Sequence, residues 1–318
     1  MMQATATVFV AGHRGLIGSA VLRQLDRRGH RNVVVAERSA LDLADGAAVA
    51  RFFASARPAY VVLAAGKVGG IVANKSQPAD FLDANLAIQG NVLRAARDAG
   101  VKRLIFFGSS CMYPRECPQP MAETALYTGH PEPTSMAYAV AKLAGVQTCL
   151  AYNAQYGAGR FVPVIPNSAF GPQDDFDPAS GHVLSALIAR FHAAKMSGAP
   201  SVTLWGTGTP RREFVYADDI ADACLDLLDA DLSAVELPLN LGSGDDFSIR
   251  ELAERIATVV GYVGRIEWDT TKPDGAPRKL LDCARLRALG WRPRTSFDAA
   301  LRATYAWYVD HAATGIPA

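Results

Sequence analysis

The sequence predicts a doubly wound α/β fold, in which helices cover both faces of a parallel sheet, together with a smaller C-terminal α/β lobe. In the first half of the chain, short runs rich in β-branched residues alternate with helical stretches, which is the order typical of α/β proteins. Those runs are apolar throughout rather than at every second residue, which indicates strands that are buried on both faces. From about residue 171 the pattern changes to a Gly/Pro/Asp-rich loop and shorter elements, which indicates the second lobe.

The predicted elements follow one another without a linker or an internal repeat. We expect strands at residues 7–11, 32–36, 59–65, 103–109 and near 161–165, and helices at 17–28, 47–56, 79–99 and 136–156. After the loop we expect a helix at about 183–197 and a strand at 201–205. We place the first domain at residues 1–166 and the second at 167–318, with segments near 212–245, such as 240–242, returning to the first domain.

Composition favours a small-molecule ligand over several other kinds of partner. The 318 residues carry 32 Lys and Arg against 31 Asp and Glu, so neither a nucleic acid nor a membrane surface is an expected partner. No run approaches the roughly 20 apolar residues of a membrane span, and the N-terminal residues do not resemble a signal peptide. Five cysteines at irregular spacings indicate neither a disulfide framework nor a metal site, so a cytoplasmic location is expected.

A glycine-rich loop between the first strand and the first helix predicts dinucleotide binding. Its GxxGxxG spacing permits a tight turn and lets backbone N–H groups approach a pyrophosphate at the start of the helix. The order of strand, loop and helix makes the pattern specific, because a glycine motif outside that order carries little information. We expect a Rossmann-type domain with cofactor contacts from Gly12, Arg14, Gly15, Leu16, Ile17 and Gly18.

Residues at the end of the second predicted strand bear on the choice of cofactor. An acid there accepts a hydrogen bond from the 2′-hydroxyl of NAD, whereas an arginine accommodates the 2′-phosphate of NADP. The chain has both, as Glu37 and Arg38, and Arg14 in the glycine loop adds a second cation that suits a phosphate. Two arginines against one glutamate favour NADP(H), while Glu37 keeps NAD(H) open.

Tyr138 and Lys142 lie four residues apart on one predicted helix and therefore share one face. A phenol with a pKa near 10 is a poor acid–base group at neutral pH, but a neighbouring lysine and the positive nicotinamide of the cofactor would stabilise the phenolate and lower that pKa. Ser109 stands at the end of the preceding strand, where ligands of open α/β sheets gather, and is preferred over Ser110 as a partner for a substrate carbonyl. Tyr138, Lys142 and Ser109 thus predict dinucleotide-dependent carbonyl chemistry, with Lys142 also beside the cofactor.

Six segments carry a resemblance to a known family. They read GHRGLIGSA, AAGKVGGIVANKSQPADF, GSSCMYP, TSMAYAVAKLAG, WGTGTPRREF and TKPDGAPRKLLD. The first and the fourth are typical of the extended short-chain dehydrogenases/reductases as a whole, and the other four are much more specific. Through these segments nearly the whole chain resembles the GDP-L-fucose synthases.

This resemblance implies an NADPH-dependent enzyme that epimerises C3 and C5 of GDP-4-keto-6-deoxy-D-mannose and then reduces C4. The C4 ketone acidifies the protons on both neighbouring carbons, so inversion needs a base on one face of the sugar and an acid on the other. Cys111, two residues after Ser109, matches the base of the family, and His182 matches its acid. A thiolate suits the first role where nearby positive charge lowers the pKa of the thiol, and histidine titrates in the useful range.

The resemblance also implies a binding site for the GDP moiety. Cations suit the diphosphate, and an indole offers a flat apolar wall for the base or ribose. The matching positions are Arg190, Trp205, Arg212 and Lys279. Arg211 stays open as an alternative to Arg212, because two adjacent arginines cannot be ranked from the sequence. Relatives commonly dimerise through two long helices, here 79–99 and 136–156, so a homodimer is expected.

One segment departs from the family pattern. Relatives carry an asparagine and a tyrosine before the Gly-Pro turn, in a TNLYGP-like run, whereas this chain has Asn167, Ser168, Ala169 and Phe170. The departure leaves open a related GDP-4-keto-6-deoxysugar reductase or epimerase that makes a different deoxyhexose, although a pure reductase would have no use for Cys111 and His182. A dehydratase fits less well, because no acidic pair accompanies Tyr138. The alternative of a different class is a non-catalytic regulator that senses dinucleotides, which would not need the tyrosine–lysine pair.

Overall fold

The computed structural model describes residues 5–178 and 180–312 and places strands of that part of the chain in three sheets. The strands are β1 (Val8–Ala11), β2 (Val33–Val34), β3 (Tyr60–Leu63), β4 (Arg103–Phe107), β5 (Phe161–Pro166), β6 (Ser168–Phe170), β7 (Ser201–Trp205), β8 (Arg211–Tyr216), β9 (Leu239–Leu241), β10 (Asp246–Ser248), β11 (Arg265–Asp269) and β12 (Arg278–Lys279).

Six strands form the central sheet in the order β2–β1–β3–β4–β5–β9, and every neighbouring pair is parallel. Parallel strands need crossover connections, which the helices between them supply. β9 comes from the second half of the chain and pairs with the C-terminal end of β5, so Leu239–Leu241 lies in the central sheet. This topology confirms the doubly wound fold predicted from the sequence.

Some helices cover both faces of the central sheet, and others belong to the second lobe. In chain order the helices of the described residues are α1 (Leu16–Arg27), α2 (Gly46–Ala56), α3 (Ile71–Ser76), α4 (Pro78–Asp98), α5 (Met136–Tyr156), α6 (Val183–Ser197), α7 (Ala217–Asp229), α8 (Ile249–Val260), α9 (Ala284–Ala288) and α10 (Phe297–Ala312). α1 and α7 pack on one face, and α2, α4 and α5 pack on the other. Within β1, Val8 and Val10 enter the core under α1, whereas Phe9 and Ala11 enter the core under α2. Both faces of this strand are buried, which explains why its sequence is apolar at every position.

The second lobe is built around β8, which pairs with β6, β10 and β12. β7 and β11 form a separate parallel pair. α6, α8 and α10 bury an aromatic-rich core against these strands, with rings that include Phe170, Phe191 and Phe214. Because β6 begins two residues after β5 ends, the second lobe starts at the carboxyl edge of the central sheet.

The helix bounds agree with the sequence-based expectations more closely than the strand bounds. α5 and α6 begin and end at the predicted residues, whereas β2 spans only Val33–Val34 of the predicted residues 32–36. The division at residue 166 stays a prediction, because strand pairing does not show which part of the chain folds independently. Within the described ranges, no helix is both long and apolar enough to cross a membrane.

Candidate active site

The carboxyl edge of the central sheet brings together the loops that follow β1, β3 and β4. The first of these loops touches the second at Gly12, where a Cβ would lie 2.6 Å from a backbone nitrogen. Gly66, in the loop after β3, lies against the side chains of Asn85 and Lys142. Lys142 in turn reaches the end of β4, because its ammonium donates a hydrogen bond of 3.0 Å to the carbonyl of Phe107. Ligands of open α/β sheets bind at this edge, so it is the candidate active site.

The three glycines of the loop after β1 have different structural roles. Gly12 has a φ of +82° and turns the chain, while Gly18 lets α1 pack on that turn, since a Cβ there would lie 2.1 Å from the Gly12 carbonyl oxygen. Gly15 faces open space, with no atom closer than 3.6 Å to its Cβ position. Leu16 and Ile17 begin α1, whose first N–H groups have no side-chain cap. Open backbone beside uncapped donors and a positive helix end fits a pyrophosphate, so the loop fits a dinucleotide.

Glu37 is already paired at the end of β2. Arg14 Nη2 lies 2.7 Å and His13 Nε2 lies 3.2 Å from the same Oε1 atom of Glu37. Arg38 is exposed and makes no ion pair with any residue of the described ranges. Two arginines therefore flank this strand end, and one of them offsets the charge of the acid.

α5 presents Tyr138 and Lys142 on one face, with Lys142 Nζ 5.9 Å from the centroid of the tyrosine ring. Burial lowers the pKa of Lys142 to about 8, because a desolvated ammonium is disfavoured. Burial raises the pKa of Tyr138 above its ordinary value, with a smaller contribution from the nearby Cys111, and Ser109 only partly opposes that rise. Burial therefore favours the protonated phenol, and the lowering expected from Lys142 together with the nicotinamide of the cofactor stays a prediction.

Ser109 and Cys111 lie at the short 3₁₀ turn Ser110–Met112 that follows β4. Ser109 Oγ accepts a hydrogen bond of 3.2 Å from the backbone N–H of Cys111, which leaves the serine hydroxyl proton available to an acceptor. Both side chains affect the pKa of the Tyr138 phenol, which Cys111 raises and Ser109 lowers. This effect on Tyr138 favours Ser109 over Ser110 as the serine of the site.

His182 is the N-cap residue of α6 and ends the loop that follows β6. Its Nδ1 atom lies 3.9 Å from Oδ1 of Asp174, a buried carboxylate. Interaction with Asp174 raises the pKa of His182 against the opposing effect of burial. The same loop touches the loop after β3, since a Cβ at Gly70 would lie 3.1 Å from the Ser180 carbonyl oxygen. The His182 loop therefore borders the same edge of the central sheet.

The register of β8 and β12 separates the two adjacent arginines. Arg211 is paired with Arg278, and Arg212 is paired with Lys279. Paired residues share a face of a sheet, whereas consecutive residues of a strand alternate between faces. Asp246 forms ion pairs with both Arg211 and Arg278. Arg212 and Lys279 make no ion pair with any described residue, so Arg212 rather than Arg211 is the arginine left for an anionic ligand.

The other nucleotide-site candidates differ in exposure. Trp205 ends β7 and is 71% exposed, with Lys272 Nζ 5.7 Å from the centroid of its ring. Arg190 lies within α6, partly buried, and pairs with no acid of the described ranges. Lys279 lines one small cavity together with Cys111. The structure thus brings Lys279 to the turn that carries Cys111, whereas it leaves the indole of Trp205 open to solvent.

The departure from the family pattern has a structural explanation at Asn167. The Asn167 amide is buried and donates hydrogen bonds to Glu213 at 2.6 Å and to the carbonyl of Lys279 at 3.3 Å. Side chains of consecutive extended residues point to opposite sides of the chain, so Asn167 does not take the place of an asparagine at position 168. Ser168 fills that place with a shorter side chain and a hydroxyl group.

Three buried polar residues of this region were not predicted from the sequence. Asn85 on α4 hydrogen-bonds both the N–H and the carbonyl of Lys67 and thereby orders the loop after β3. Glu213 is fully buried and accepts backbone N–H groups from two other segments, which ties β8 to them. Asp174 faces His182. An amide on the apolar face of a helix was a usable signal for Asn85, whereas Glu213 and Asp174 lie in segments without a periodic pattern.

The fold and the site together define an NAD(P)-dependent oxidoreductase/epimerase, and comparisons with known proteins agree. Residues 8–242 match the model of the NAD dependent epimerase/dehydratase family. GDP-L-fucose synthase 1 of Arabidopsis thaliana is 51% identical over 97% of this chain and 95% of its own length. The GDP-L-fucose synthase of Escherichia coli (strain K12) is 48% identical over 96% of this chain and 97% of its own length.

Solved structures agree as well. A GDP-L-fucose synthetase from Naegleria fowleri bound to NADP superimposes with a TM-score of 0.87 at 29% identity, covering 97% of this chain and 95% of that one. The chain therefore belongs to the GDP-L-fucose synthase family, within the NAD dependent epimerase/dehydratase family. The nicotinamide dinucleotide expected from the glycine loop is the cofactor type of this family.

Proposed function

We propose that this chain converts GDP-4-keto-6-deoxy-D-mannose to GDP-L-fucose by 3,5-epimerisation followed by NADPH-dependent reduction at C4. The convergence of Ser109, Cys111 and Tyr138 at the end of β4, beside the buried Lys142, carries the proposal. A serine and a tyrosine can donate hydrogen bonds to a carbonyl oxygen, and the thiolate of a cysteine at the same turn can remove a proton from a carbon next to that carbonyl. Membership of the GDP-L-fucose synthase family supports the GDP-sugar as substrate.

In the proposed epimerisation, the Cys111 thiolate removes a proton from a carbon next to the C4 carbonyl, and the electron pair moves to the C4 oxygen. Ser109 and Tyr138 donate hydrogen bonds to that oxygen and stabilise the enolate. His182 delivers a proton to the opposite face of the carbon, which inverts its configuration. One carbonyl thus serves the inversions at C3 and at C5.

In the proposed reduction, the bound dinucleotide supplies the hydride that C4 accepts. Tyr138 gives its proton to the C4 oxygen, a role that suits a phenol whose pKa is raised and which therefore carries its proton. The ammonium of Lys142 lies near the tyrosine ring and stabilises the phenolate that remains. Open backbone at Gly15 and the start of α1 would hold the pyrophosphate of the cofactor.

NADP(H) is the proposed cofactor in preference to NAD(H). The Glu37 carboxylate already pairs with Arg14 and His13, which reduces its capacity to accept a hydrogen bond from a ribose hydroxyl. Arg38 is exposed beside it and suits a 2′-phosphate.

For the nucleotide end, we propose that Arg212 and Lys279 bind the diphosphate. They lie on one face of the sheet and have no carboxylate partner within the described part of the chain. The exposed indole of Trp205 offers a stacking surface for the base or ribose, and Arg190 adds a further cation. The pairing of Asn167 with Glu213 holds β6 against β8 beneath these groups.

We also propose a homodimer in the cytoplasm. Leu86 on α4 and Val140 on α5 are apolar side chains that are 39% and 45% exposed, as expected of helices that a second copy would cover. All five cysteines are free thiols, which fits a reducing compartment. A molar mass of one chain in light scattering at micromolar concentration would contradict the dimer.

A related enzyme that only reduces C4, or that makes a different deoxyhexose, is not favoured. The Cys111 thiol near Tyr138 and the His182–Asp174 pair serve proton transfer at carbon, and hydride transfer alone does not need them. A dinucleotide sensor without turnover is also not favoured, because both members of the Tyr138–Lys142 pair are present and close together.

Product analysis with the GDP-sugar tests the proposal. With NADPH and GDP-4-keto-6-deoxy-D-mannose, we expect loss of reduced-cofactor absorbance and GDP-L-fucose as the product by NMR. In D₂O the product is expected to carry deuterium at C3 and C5, and Cys111→Ser is expected to suppress that incorporation while hydride transfer to the unepimerised ketone stays measurable. No oxidation of either NADPH or NADH would contradict the reductase activity, and a product without deuterium at either carbon would contradict the epimerase activity.

A further inference from the structure

A buried carboxylate faces the histidine to which the proposed reaction assigns a proton. Asp174 is 4% exposed and follows the Gly-Pro turn after β6. Its Oδ2 atom accepts a hydrogen bond from the buried Ser185 hydroxyl on α6, and its Oδ1 atom accepts the Asp175 N–H at 2.9 Å. His182 Nδ1 lies 3.9 Å from that same Oδ1 atom. Within residues 5–178 and 180–312, His182 is the one basic side chain at ion-pair distance from Asp174.

We propose that Asp174 is a positioning residue for His182: its carboxylate holds the Nδ1 edge of the imidazole, so that Nε2–H is directed to the sugar carbon that receives a proton. The inference rests on the proposed function, which gives His182 the role of the acid. The 3.9 Å between the two atoms is an ion-pair distance, and a histidine whose Nδ1 edge faces a carboxylate presents its Nε2 atom to the substrate.

The electrostatics of the pair favour the protonated histidine. A buried carboxylate without a cation carries a large desolvation cost, which the Ser185 hydroxyl and one N–H group offset only in part. An imidazolium at Nδ1 offsets more of that cost, and the same attraction stabilises the imidazolium. Asp174 accordingly raises the pKa of His182. Asp175 on the same loop adds a smaller effect of the same sign, and no other charged group of the described residues acts on His182.

The proton transfer balances with one moving proton. The N–H bond at Nε2 of His182 breaks and a C–H bond forms at the enolate carbon, while the electron pair of the N–H bond stays on the imidazole, which becomes neutral. Asp174 stays ionised throughout. The His182 side chain is 53% exposed, so solvent water can return the proton before the second inversion.

Asp174→Asn removes the charge and keeps the size of the side chain and an acceptor for Ser185. We expect the pKa of His182 to fall by about one unit, because a nearby opposite charge stabilises the protonated form by about that amount. The pKa is read from imidazole NMR resonances, assigned with His182→Gln. Deuterium incorporation at C3 and C5 is expected to fall about tenfold at pH values above the pKa of His182 in the parent enzyme, since a pKa lower by one unit reduces the protonated fraction about tenfold there. Hydride transfer to the unepimerised ketone is expected to stay unchanged.

Two variants serve as controls. Asp175→Asn removes the same charge from the next residue and is expected to give a smaller fall in the His182 pKa. Asp174→Glu keeps the charge and is expected to restore the His182 pKa and part of the deuterium incorporation. An unchanged His182 pKa in Asp174→Asn, or equal shifts in Asp174→Asn and Asp175→Asn, overturns the positioning role.

Failure of the proposed function gives a different result from failure of the pairing. A lowered His182 pKa with unchanged deuterium incorporation would mean that Asp174 and His182 interact but that His182 is not the acid. The role of His182 in the proposed function would then be wrong, and the positioning role of Asp174 would be wrong with it. If Asp174→Asn does not fold, the pKa of His182 in the parent protein decides. The nearby Asp174 carboxylate is expected to hold it above the value of a free imidazole, and a His182 pKa at or below that value overturns the pairing.

Discussion

The two ends of the proposed substrate site differ in how far the protein organises them before a ligand binds. At the end of β4, the Lys142 ammonium is buried and hydrogen-bonded to the chain, and Tyr138 lies close enough to Ser109 for the serine to affect the pKa of its phenol. On the second lobe, the Trp205 indole is 71% exposed, and Arg212 has no anionic partner within the described part of the chain. Preorganised polar groups in a dry site interact strongly and need no reorganisation during the reaction. We therefore propose that the protein itself organises the end at which the chemistry takes place, and that binding of the nucleotide orders the other end.

This difference separates the expected effects of substitutions. At the end of β4 a substitution is expected to change the rate of the chemical step with little effect on ligand affinity, because the groups interact with atoms that change during the reaction. On the second lobe a substitution is expected to change the affinity for the nucleotide. Substitutions at either end that change both quantities equally would contradict the comparison.

The largest effect is expected for Tyr138→Phe, which removes the proton donor to the C4 oxygen. We expect the rate constant of reduction to fall about a thousandfold, within the range typical of general acid catalysis, with unchanged affinity for NADPH. Single-turnover absorbance measures the rate, and fluorescence titration measures the affinity. Tyr152→Phe makes the same change on α5, where the ring packs on Phe161, and is expected to behave like the parent enzyme. Comparable losses in both variants would remove Tyr138 from the proposed mechanism.

A smaller effect, on binding, is expected for Arg212→Gln. The loss of a charge-assisted hydrogen bond to the diphosphate is expected to weaken the affinity for GDP by about 10- to 100-fold, as measured by calorimetry. Arg211→Gln is the matched control, because Arg211 is committed to Asp246 on the other face of the sheet. It is expected to leave the affinity for GDP unchanged. A weaker affinity in the control, with a normal affinity in Arg212→Gln, would reverse the assignment of the two faces.

The central sheet could be predicted from the sequence because its signals are local. β1 and β3–β5 are continuously apolar, and α5 is long, so composition alone places them. β2 came out shorter than predicted, since it lies at the edge of the sheet and pairs with β1 alone. β6, β8, β10 and β12 were not predicted. Strands of two to six residues carry little periodicity, and their pairing depends on segments far apart in the chain, such as Ser168 with Phe214.

The site could be predicted only where its residues belong to a motif. The positions of Tyr138, Lys142 and Ser109 followed from spacing on a helix and at a strand end. The choice between Arg211 and Arg212 needed the register of β8 with β12, which no local pattern reveals. The motif does not reveal that burial raises the pKa of Tyr138, because burial depends on tertiary packing.

The pH dependence of the reaction tests whether the Lys142 side chain at the end of β4 is shielded from water. Burial lowers the pKa of Lys142 to about 8, so its ammonium is present below that pH and is lost as the pH rises through it. We expect kcat/KM for NADPH, which reports the free enzyme, to fall about tenfold per pH unit above pH 8. In Lys142→Arg this fall is expected to disappear, because a guanidinium stays charged. The exposed Lys102→Arg is the control and is expected to keep the parent profile. A parent profile that stays level to pH 10 would show that Lys142 is not desolvated.

The smallest effect is expected for Glu37→Gln. This variant tests whether the residues near the cofactor ribose are arranged for a 2′-phosphate before the cofactor binds. The Glu37 carboxylate pairs with Arg14 and His13 in the structure. Its removal takes away one negative charge and frees these two side chains for a 2′-phosphate. At roughly 4 Å a unit charge in water contributes about 1 kcal/mol, which corresponds to a change of about fivefold in the ratio of NADPH to NADH affinity. Fluorescence titration with each cofactor measures that ratio. Asp26→Asn changes the net charge equally at a side chain that is 78% exposed, and it is expected to leave the ratio unchanged. A fall in NADPH affinity in Glu37→Gln would mean that Glu37 holds Arg14 in its binding position, and the acid would then support NADP(H) binding instead of opposing it.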